Sequence, residues 1–277
     1  MKAIFIVAFA AVAVGLAAFI SFGFQRAAAV EIPYETKSET SFAISNRQPV
    51  LVELFTSEGC SSCPPADRVL TTLQNDQLVP NAEVITLEFH VDYWNYLGWK
   101  DRFSSNEFTK RQEAYARQLG LNSTYTPQMV VDGSREFVGS SRAKANETIA
   151  QSAAEPKAAV EVTVVDGKLH VTVKGLKEHS DATVYLAVAE NKLFTKVGGG
   201  ENSGSTLEHT SVVRSLTPIG TIKKAENGIT TELSVPKNAG WNVENTKYVV
   251  FVQENSTLKV LAVGPAAMSA SNSGRLK

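Results

Sequence analysis

The sequence predicts an α/β domain followed by an all-β domain. Three observations carry this. Between Val50 and about Ala153, short apolar runs alternate with segments of helical spacing. Beyond Glu155–Pro156 only strand and turn patterns recur. The chain has 277 residues, and at ~150 residues per domain that length suits about two units, each able to bury a core.

Composition narrows the class. Hydrophobic residues make up 43% and charged residues 20%, which excludes a disordered chain and a coiled-coil rod. Two Cys cannot build a disulfide scaffold or a site of three or four thiolates. With 27 basic and 28 acidic side chains, no strong positive field exists, so nucleic acid is not an expected partner.

The N-terminal residues read as an address. Lys2 precedes an almost unbroken apolar run from Ala3 to Phe24, and Ala27–Ala28–Ala29 follows. This pattern fits a signal peptide over residues 1–29. The run is also long enough, at ~1.5 Å per residue, to cross a hydrocarbon core of roughly 30 Å, so an N-terminal membrane anchor is the alternative. Either way the rest of the chain is exported, because Lys2 stays cytoplasmic. The expected location is periplasmic or secreted, an oxidising setting where a Cys pair can hold a disulfide. Residues 30–49 are polar and read as a linker.

From Val50 the expected elements follow in order. Val50–Thr56 is a buried strand, and Ala66–Leu78 a helix with prolines Pro64 and Pro65 at its start, where a missing N–H costs nothing. Glu83–Val91 is a second strand. Ser104/Ser105 cap a helix from Asn106 to Leu119, ended by Gly120. Gln128–Val131 and Arg135–Val138 form a hairpin about Asp132–Gly133, and Arg142–Ala153 is the last helix. Two β-α-β steps imply a parallel core. This first domain spans 50–155. The second, 157–265, carries about seven short strands, including Val160–Val165, Leu169–Val173, Thr183–Ala189, Gly228–Val235, Tyr248–Gln253 and Lys259–Val263, in the manner of a β-sandwich. Gly198–Arg214 reads as a large loop or mobile flap, and 266–277 as a disordered tail.

The chemistry is expected at Cys60-x-x-Cys63, between a strand and a helix start. Zinc needs a second half-site, and no further Cys exists. At a helix N-terminus the unpaired N–H groups and the macrodipole favour a negative sulfur. Cys60 is therefore the expected nucleophile and Cys63 the resolving thiol. The alternative is an inert staple, although so short a loop gains little stability from closure. Thr126–Pro127 precedes an apolar strand. A cis bond is affordable there, and the residue before it can pair with an extended substrate chain.

Glu53, inside the first strand, is the candidate proton handler for Cys63, the alternative being a hydrogen-bonded or partly exposed structural carboxylate. The segment His90 to Phe103 leaves the same sheet edge as the Cys turn. Tyr93, Trp94 and Trp99 are expected to contact substrate, and His90 or Asp92 to tune the thiolate. No metal ligand set and no cofactor is assigned. The alternative to catalysis is a metal- or peptide-binding module, with Cu(I) held by the two thiolates and His90 or Met129. His209, with Glu201, Asn202 and Arg214, either lines a polar loop facing the redox site or makes an interdomain or turn contact.

These strings together resemble the thioredoxin fold: a strand, C-x-x-C at a helix start, and Thr126–Pro127 before a hairpin. The fuller run Glu53–Leu54–Phe55–Thr56–Ser57–Glu58–Gly59–Cys60–Ser61–Ser62–Cys63–Pro64–Pro65–Ala66–Asp67 is similar to the bacterial secreted family known as domain of unknown function 1223. So are His90–Val91–Asp92–Tyr93–Trp94, Leu97–Gly98–Trp99, Tyr125 to Gly133, Gly200–Glu201–Asn202–Ser203–Gly204 and Val212–Val213–Arg214. The resemblance implies a thioredoxin-like domain and Gram-negative export, without a substrate. The Ser61–Ser62 dipeptide differs from the Gly-Pro and Pro-His pairs of thioredoxin and the periplasmic oxidase, which leaves the direction of electron flow open. The expected function is an exported thiol-disulfide oxidoreductase. Its expected partners are protein or small-molecule disulfides and thiols, together with a membrane electron donor or acceptor.

Overall fold

A computed structural model describes residues 47–268. The expected signal or anchor, nearly all of the linker and most of the expected tail lie outside the described residues. No helix among the described residues is long and apolar enough to cross a membrane.

The first half runs β1 (Gln48–Thr56), α1 (Pro64–Asp76), β2 (Ala82–His90), α2 (Asn106–Gln118), β3 (Gln128–Val131), β4 (Arg135–Val138) and α3 (Arg142–Ala153). The second half is strands: β5 (Ala159–Val165), β6 (Lys168–Lys174), β7 (Ala182–Glu190), β8 (Leu193–Lys196), β9 (Thr206–His209), β10 (Val212–Ile222), β11 (Gly228–Ser234), β12 (Thr246–Glu254), β13 (Val260–Pro265) and β14 (Ala267–Met268). Thus the protein is mixed α/β, with a large mixed sheet and smaller ones.

The eight-stranded sheet has the order β13-β12-β7-β10-β2-β1-β3-β4. It crosses the Glu155–Pro156 boundary, because β10 joins β2 where Val212 pairs with Glu88. β11-β6-β5-β14 form a second sheet and β8-β9 a third. Alternation along β1 sorts its side chains. Val50, Val52 and Leu54 pack with Leu70, Leu73 and Ile149 of α1 and α3. Leu51 and Phe55 face the other way, into a core shared with Phe108 and Tyr115 of α2 and with Ala187, Phe251 and Val263 of the second half. On β7 and β12, Val184, Leu186, Val188, Val250 and Val252 meet Leu169 and Val171 of the four-stranded sheet.

Two expectations are corrected. β1 and β2 are parallel, but β3 runs antiparallel to β1. Gln112 of α2 donates to the Tyr125 carbonyl at 2.7 Å, so the chain after Gly120 folds back along the helix and returns to the carboxyl edge of β1. The second correction concerns Gly198–Arg214. It is not a loose flap: it contains β9, which pairs with β8, and the start of β10. Alternation fails along β10 because its register shifts at Val213/Ser215 and at Pro218/Gly220. Pro218 is tolerated because β2 pairs with β10 only at Val212, so no ladder on that side needs its N–H.

The β3–β4 turn shows how the halves lock. Asp132 and Gly133 have φ of 46° and 66°, as a two-residue hairpin turn requires. A Cβ on Gly133 would meet the Leu258 carbonyl oxygen at 1.9 Å. Asp132 accepts from Leu51 N at 2.9 Å and pairs with Lys157 at 2.8 Å.

Two buried polar braces carry testable consequences. Arg111 of α2 lies 2.7 Å from Glu53 and 3.1 Å from Gln253 of β12, with its guanidinium over the rings of Phe89 and Phe251. Arg111→Ala strands a buried carboxylate and should cost about 3–5 kcal/mol in urea unfolding; a loss of about 1 kcal/mol or less would contradict the brace. Lys247 donates to Gln74 Oε1, the Thr86 carbonyl and Ser211 Oγ, and burial pushes its pKa down to about 7. The unfolded chain then binds more protons than the folded one from that point up to the ordinary lysine value of about 10.4, so stability should rise with pH across this window. Lys247→Met should flatten that rise between pH 7 and pH 9.5, read as the shift in urea midpoint.

Candidate redox site

Cys60 and Cys63 form a disulfide with a Cα–Cα distance of 5.4 Å. Three consecutive turns build this corner: Cys60 N donates to the Ser57 carbonyl at 3.1 Å, Cys63 N to the Cys60 carbonyl at 3.2 Å, and Ala66 N to the Cys63 carbonyl at 2.8 Å. Cys63 occupies the N-cap position of α1 and Pro64 opens the helix. No side chain caps this end, so the positive end of the helix is left for the sulfurs.

The Thr126–Pro127 peptide is cis. Thr126 Oγ1 donates to Cys60 Sγ at 3.3 Å, and Trp94 Nε1 donates to that same hydroxyl oxygen at 2.8 Å. Ser62 Oγ lies 3.4 Å from Cys60 Sγ. Hydroxyl donors aimed at sulfur favour its charged form once the disulfide opens. The structure therefore brings together Cys60, Cys63, Thr126, Pro127 and Trp94.

Both cysteines are fully buried, while Ser61 and Ser62 are exposed. The cover is the connection between β8 and β9. Asn202 Nδ2 donates to the carbonyls of Glu58 and Cys60, both at 2.9 Å. Glu201 accepts from Ser61 N at 3.0 Å. The run Gly198–Gly200 lies against Trp99, and a Cβ on Gly199 would meet the Gly98 carbonyl oxygen at 2.6 Å. Glu201 and Asn202 thus do face the disulfide. Arg214 does not; it lies 3.6 Å from Glu190.

A buried charged cluster gathers at the carboxyl end of β2 and the turn after β1. His90 Nδ1 is 2.7 Å from Asp101 Oδ2 and its Nε2 is 3.2 Å from Glu88 Oε1. His209 Nδ1 is 2.9 Å from the same Glu88 oxygen, and its Nε2 is 3.6 Å from Glu58 Oε1. Trp99 Nε1 donates to Glu58 Oε2 at 2.7 Å, and Glu58 N donates to Asp101 Oδ2 at 2.9 Å. Burial alone would lower the pKa of both imidazoles. For His90, Asp101 and then Glu88 more than offset this and hold it well above the usual value. For His209, Glu88 and Glu58 raise it to about 9. Burial raises Glu88 and Asp101, but the imidazoles bring both down to about 2.

Asp67, in the first turn of α1, accepts from Thr56 Oγ1 at 2.8 Å. Burial, and then Glu88, raise its pKa to about 7.

Several expected site residues lie elsewhere. Glu53 is not brought to Cys63. It shares the α2 face of β1 with Leu51 and Phe55 and is held by Arg111 and by the Tyr115 hydroxyl. Asp92 accepts from Thr109 Oγ1 at 2.6 Å and acts as a loop brace. Tyr93 donates to Gln112 Oε1 at 3.1 Å. Trp99 reaches Glu58 rather than a sulfur. The copper arrangement is not formed: the His90 nitrogens face Asp101 and Glu88, and Met129 is buried in the core under α1 and α3. Residues not expected at the site are Glu58, Asp67 and Asp101. Asp67 was visible as a carboxylate one turn after Cys63; Glu58 and Asp101 gave no sequence signal of their own.

Removing the cover's grip should expose the disulfide. Asn202→Ala deletes two hydrogen bonds to the Cys turn, and the pseudo-first-order rate of disulfide reduction by dithiothreitol should rise several-fold while the fold persists with a loss of about 1–3 kcal/mol. An unchanged rate would show that the cover does not limit access.

Comparison with known proteins places this geometry. The family model described as "Protein of unknown function (DUF1223)" matches residues 51–253. A solved structure, protein AGR_C_4864 from Agrobacterium tumefaciens, is 25% identical, covers 83% of this chain and 98% of its own, and superposes with a TM-score of 0.66. A domain of the outer membrane lipoprotein Omp28 from Porphyromonas gingivalis is 18% identical over 40% of this chain and 85% of its own, with a TM-score of 0.22. No curated protein matches the chain. The chain belongs to the DUF1223 family.

Proposed function

We propose that the protein is an exported thiol-disulfide oxidoreductase, with a thioredoxin-like first half and a sandwich-like second half. The observation that carries this reading is the Thr126 hydroxyl, directly before Pro127, donating to Cys60 Sγ at the uncapped end of α1. An inert staple needs no donor chain from Trp94 through Thr126 to one sulfur. The apolar run at residues 3–24 and the Ala27–Ala28–Ala29 end support export, and a closed Cys60–Cys63 pair fits an oxidising compartment.

In the reducing direction, the Cys60 thiolate attacks a substrate disulfide and one substrate sulfur leaves as thiolate. Cys63, deprotonated, then attacks Cys60 Sγ. The pair ends as a disulfide and the substrate as a dithiol, with two electrons transferred. The oxidising direction is the reverse. Asp67, one helical turn after Cys63 with its buried carboxyl held by Thr56 Oγ1 and its pKa raised to about 7, is the candidate to exchange the Cys63 proton. It takes the role that sequence position assigned to Glu53. The substrates are disulfides or thiols that reach Cys60 once the 198–204 segment moves aside, and a membrane partner returns the electrons.

Turnover of a fluorescent peptide disulfide with excess reductant tests this. Cys60→Ser should lower the rate at least 100-fold, and Cys63→Ser should accumulate a mixed disulfide between Cys60 and the peptide, detected by mass. Turnover that survives Cys60→Ser would overturn the proposal.

A further inference from the structure

We propose that Glu88, His90 and His209 form a binding site for a transition-metal ion, best suited to Zn²⁺, at the seam between β2 and the β9–β10 turn. All three are buried and can place one ligand atom each within 4.8 Å of the others. Glu88 Oε1 sits 3.2 Å from His90 Nε2 and 2.9 Å from His209 Nδ1. In a tetrahedral site with bonds of about 2.0 Å, ligand atoms stand about 3.3 Å apart, so these two edges are close to the required spacing. The donor set of two imidazoles and a carboxylate suits Zn²⁺.

The arrangement behind the three front atoms carries the argument further. A metal-bound imidazole characteristically donates its other ring N–H to a carboxylate; His90 has such a partner, and His209 has a carboxylate within ion-pair distance. Asp101 stands 2.7 Å from His90 Nδ1 and Glu58 stands 3.6 Å from His209 Nε2. The outer carboxylates are held in turn: Asp101 by the amides of Glu58 and Phe103, and Glu58 by the Trp99 indole. The second oxygen of Glu88 accepts from Thr210 N at 3.0 Å.

The front of the cluster is less well satisfied. His90 Nε2 is fully buried and makes no aligned hydrogen bond, its nearest polar atom being Glu88 Oε1 at 3.2 Å, while its other nitrogen is committed to Asp101. His209 Nε2 and Glu58 Oε1 are unpartnered too. His90 Nε2 and His209 Nδ1 converge on one carboxylate oxygen. A divalent ion seated between these three atoms would take the place of the protons through which the rings otherwise meet Glu88.

The site is independent of the thiol chemistry, and so is its test. The full-length protein, purified without a His tag, stripped with chelator and kept oxidised, is titrated with Co²⁺ and Zn²⁺. The expected result is one equivalent bound, with visible Co²⁺ bands of tetrahedral intensity. The Cys60→Ser/Cys63→Ser protein should bind equally, and zinc X-ray absorption should show imidazole and oxygen scatterers without sulfur. His209→Ala should lower affinity at least 100-fold. Less than 0.1 equivalent on the wild-type protein, a sulfur shell, or loss of binding in the cysteine-free protein would each overturn the proposal, and none depends on a His variant folding.

Discussion

The structure depends on how Glu88 is satisfied. It lies on β2, fully buried, at the one residue where the first half of the large sheet joins the second. Its main-chain N–H donates to the Ser211 carbonyl at 2.9 Å, and its carboxylate takes His209, His90 and Thr210 N. An uncompensated carboxylate in such a place costs several kcal/mol. The compensating groups come largely from the turn between β9 and β10, so that turn is fixed against β2. From there the β8–β9 connection is carried over the Cys turn.

This constraint explains why the all-β half is more than an appendage. It supplies His209 to Glu88, and Glu201 and Asn202 to the Cys turn. It also supplies Phe251 and Ala187 to the core that holds α2, and α2 in turn sets Tyr125 and so the Thr126–Pro127 turn. The proposed exchange chemistry therefore uses both halves. The first presents the sulfurs at a helix tip, while the second shields them and sets the charge at Glu88.

Much of this was legible in the sequence, and the failures have physical causes. Cys60, Cys63, Thr126 and Pro127 were readable because their meaning is local: a helix start and an imide turn. Trp94 was found from its loop. Glu53 was assigned by distance along the chain, whereas strand alternation decides the matter. It shares a face with Leu51 and Phe55, opposite to Thr56, Glu88 and His90, which meet Asp67. β10 is illegible in the sequence because Pro218, Gly220 and two register shifts break its pattern. The charged cluster was illegible as a unit, since Glu58, Glu88, Asp101 and His209 come from four separate segments and meet only through the Val212–Glu88 seam.

The most direct test of the redox reading is the equilibrium of the Cys60–Cys63 pair against glutathione buffers, followed by alkylation and mass. An exchange-active pair should pass from disulfide to dithiol in one reversible two-electron step, at a potential between about −270 and −120 mV, the span of known exchange catalysts. A pair that stays oxidised in reduced glutathione, with a potential below about −300 mV, would behave as a structural staple and contradict the account.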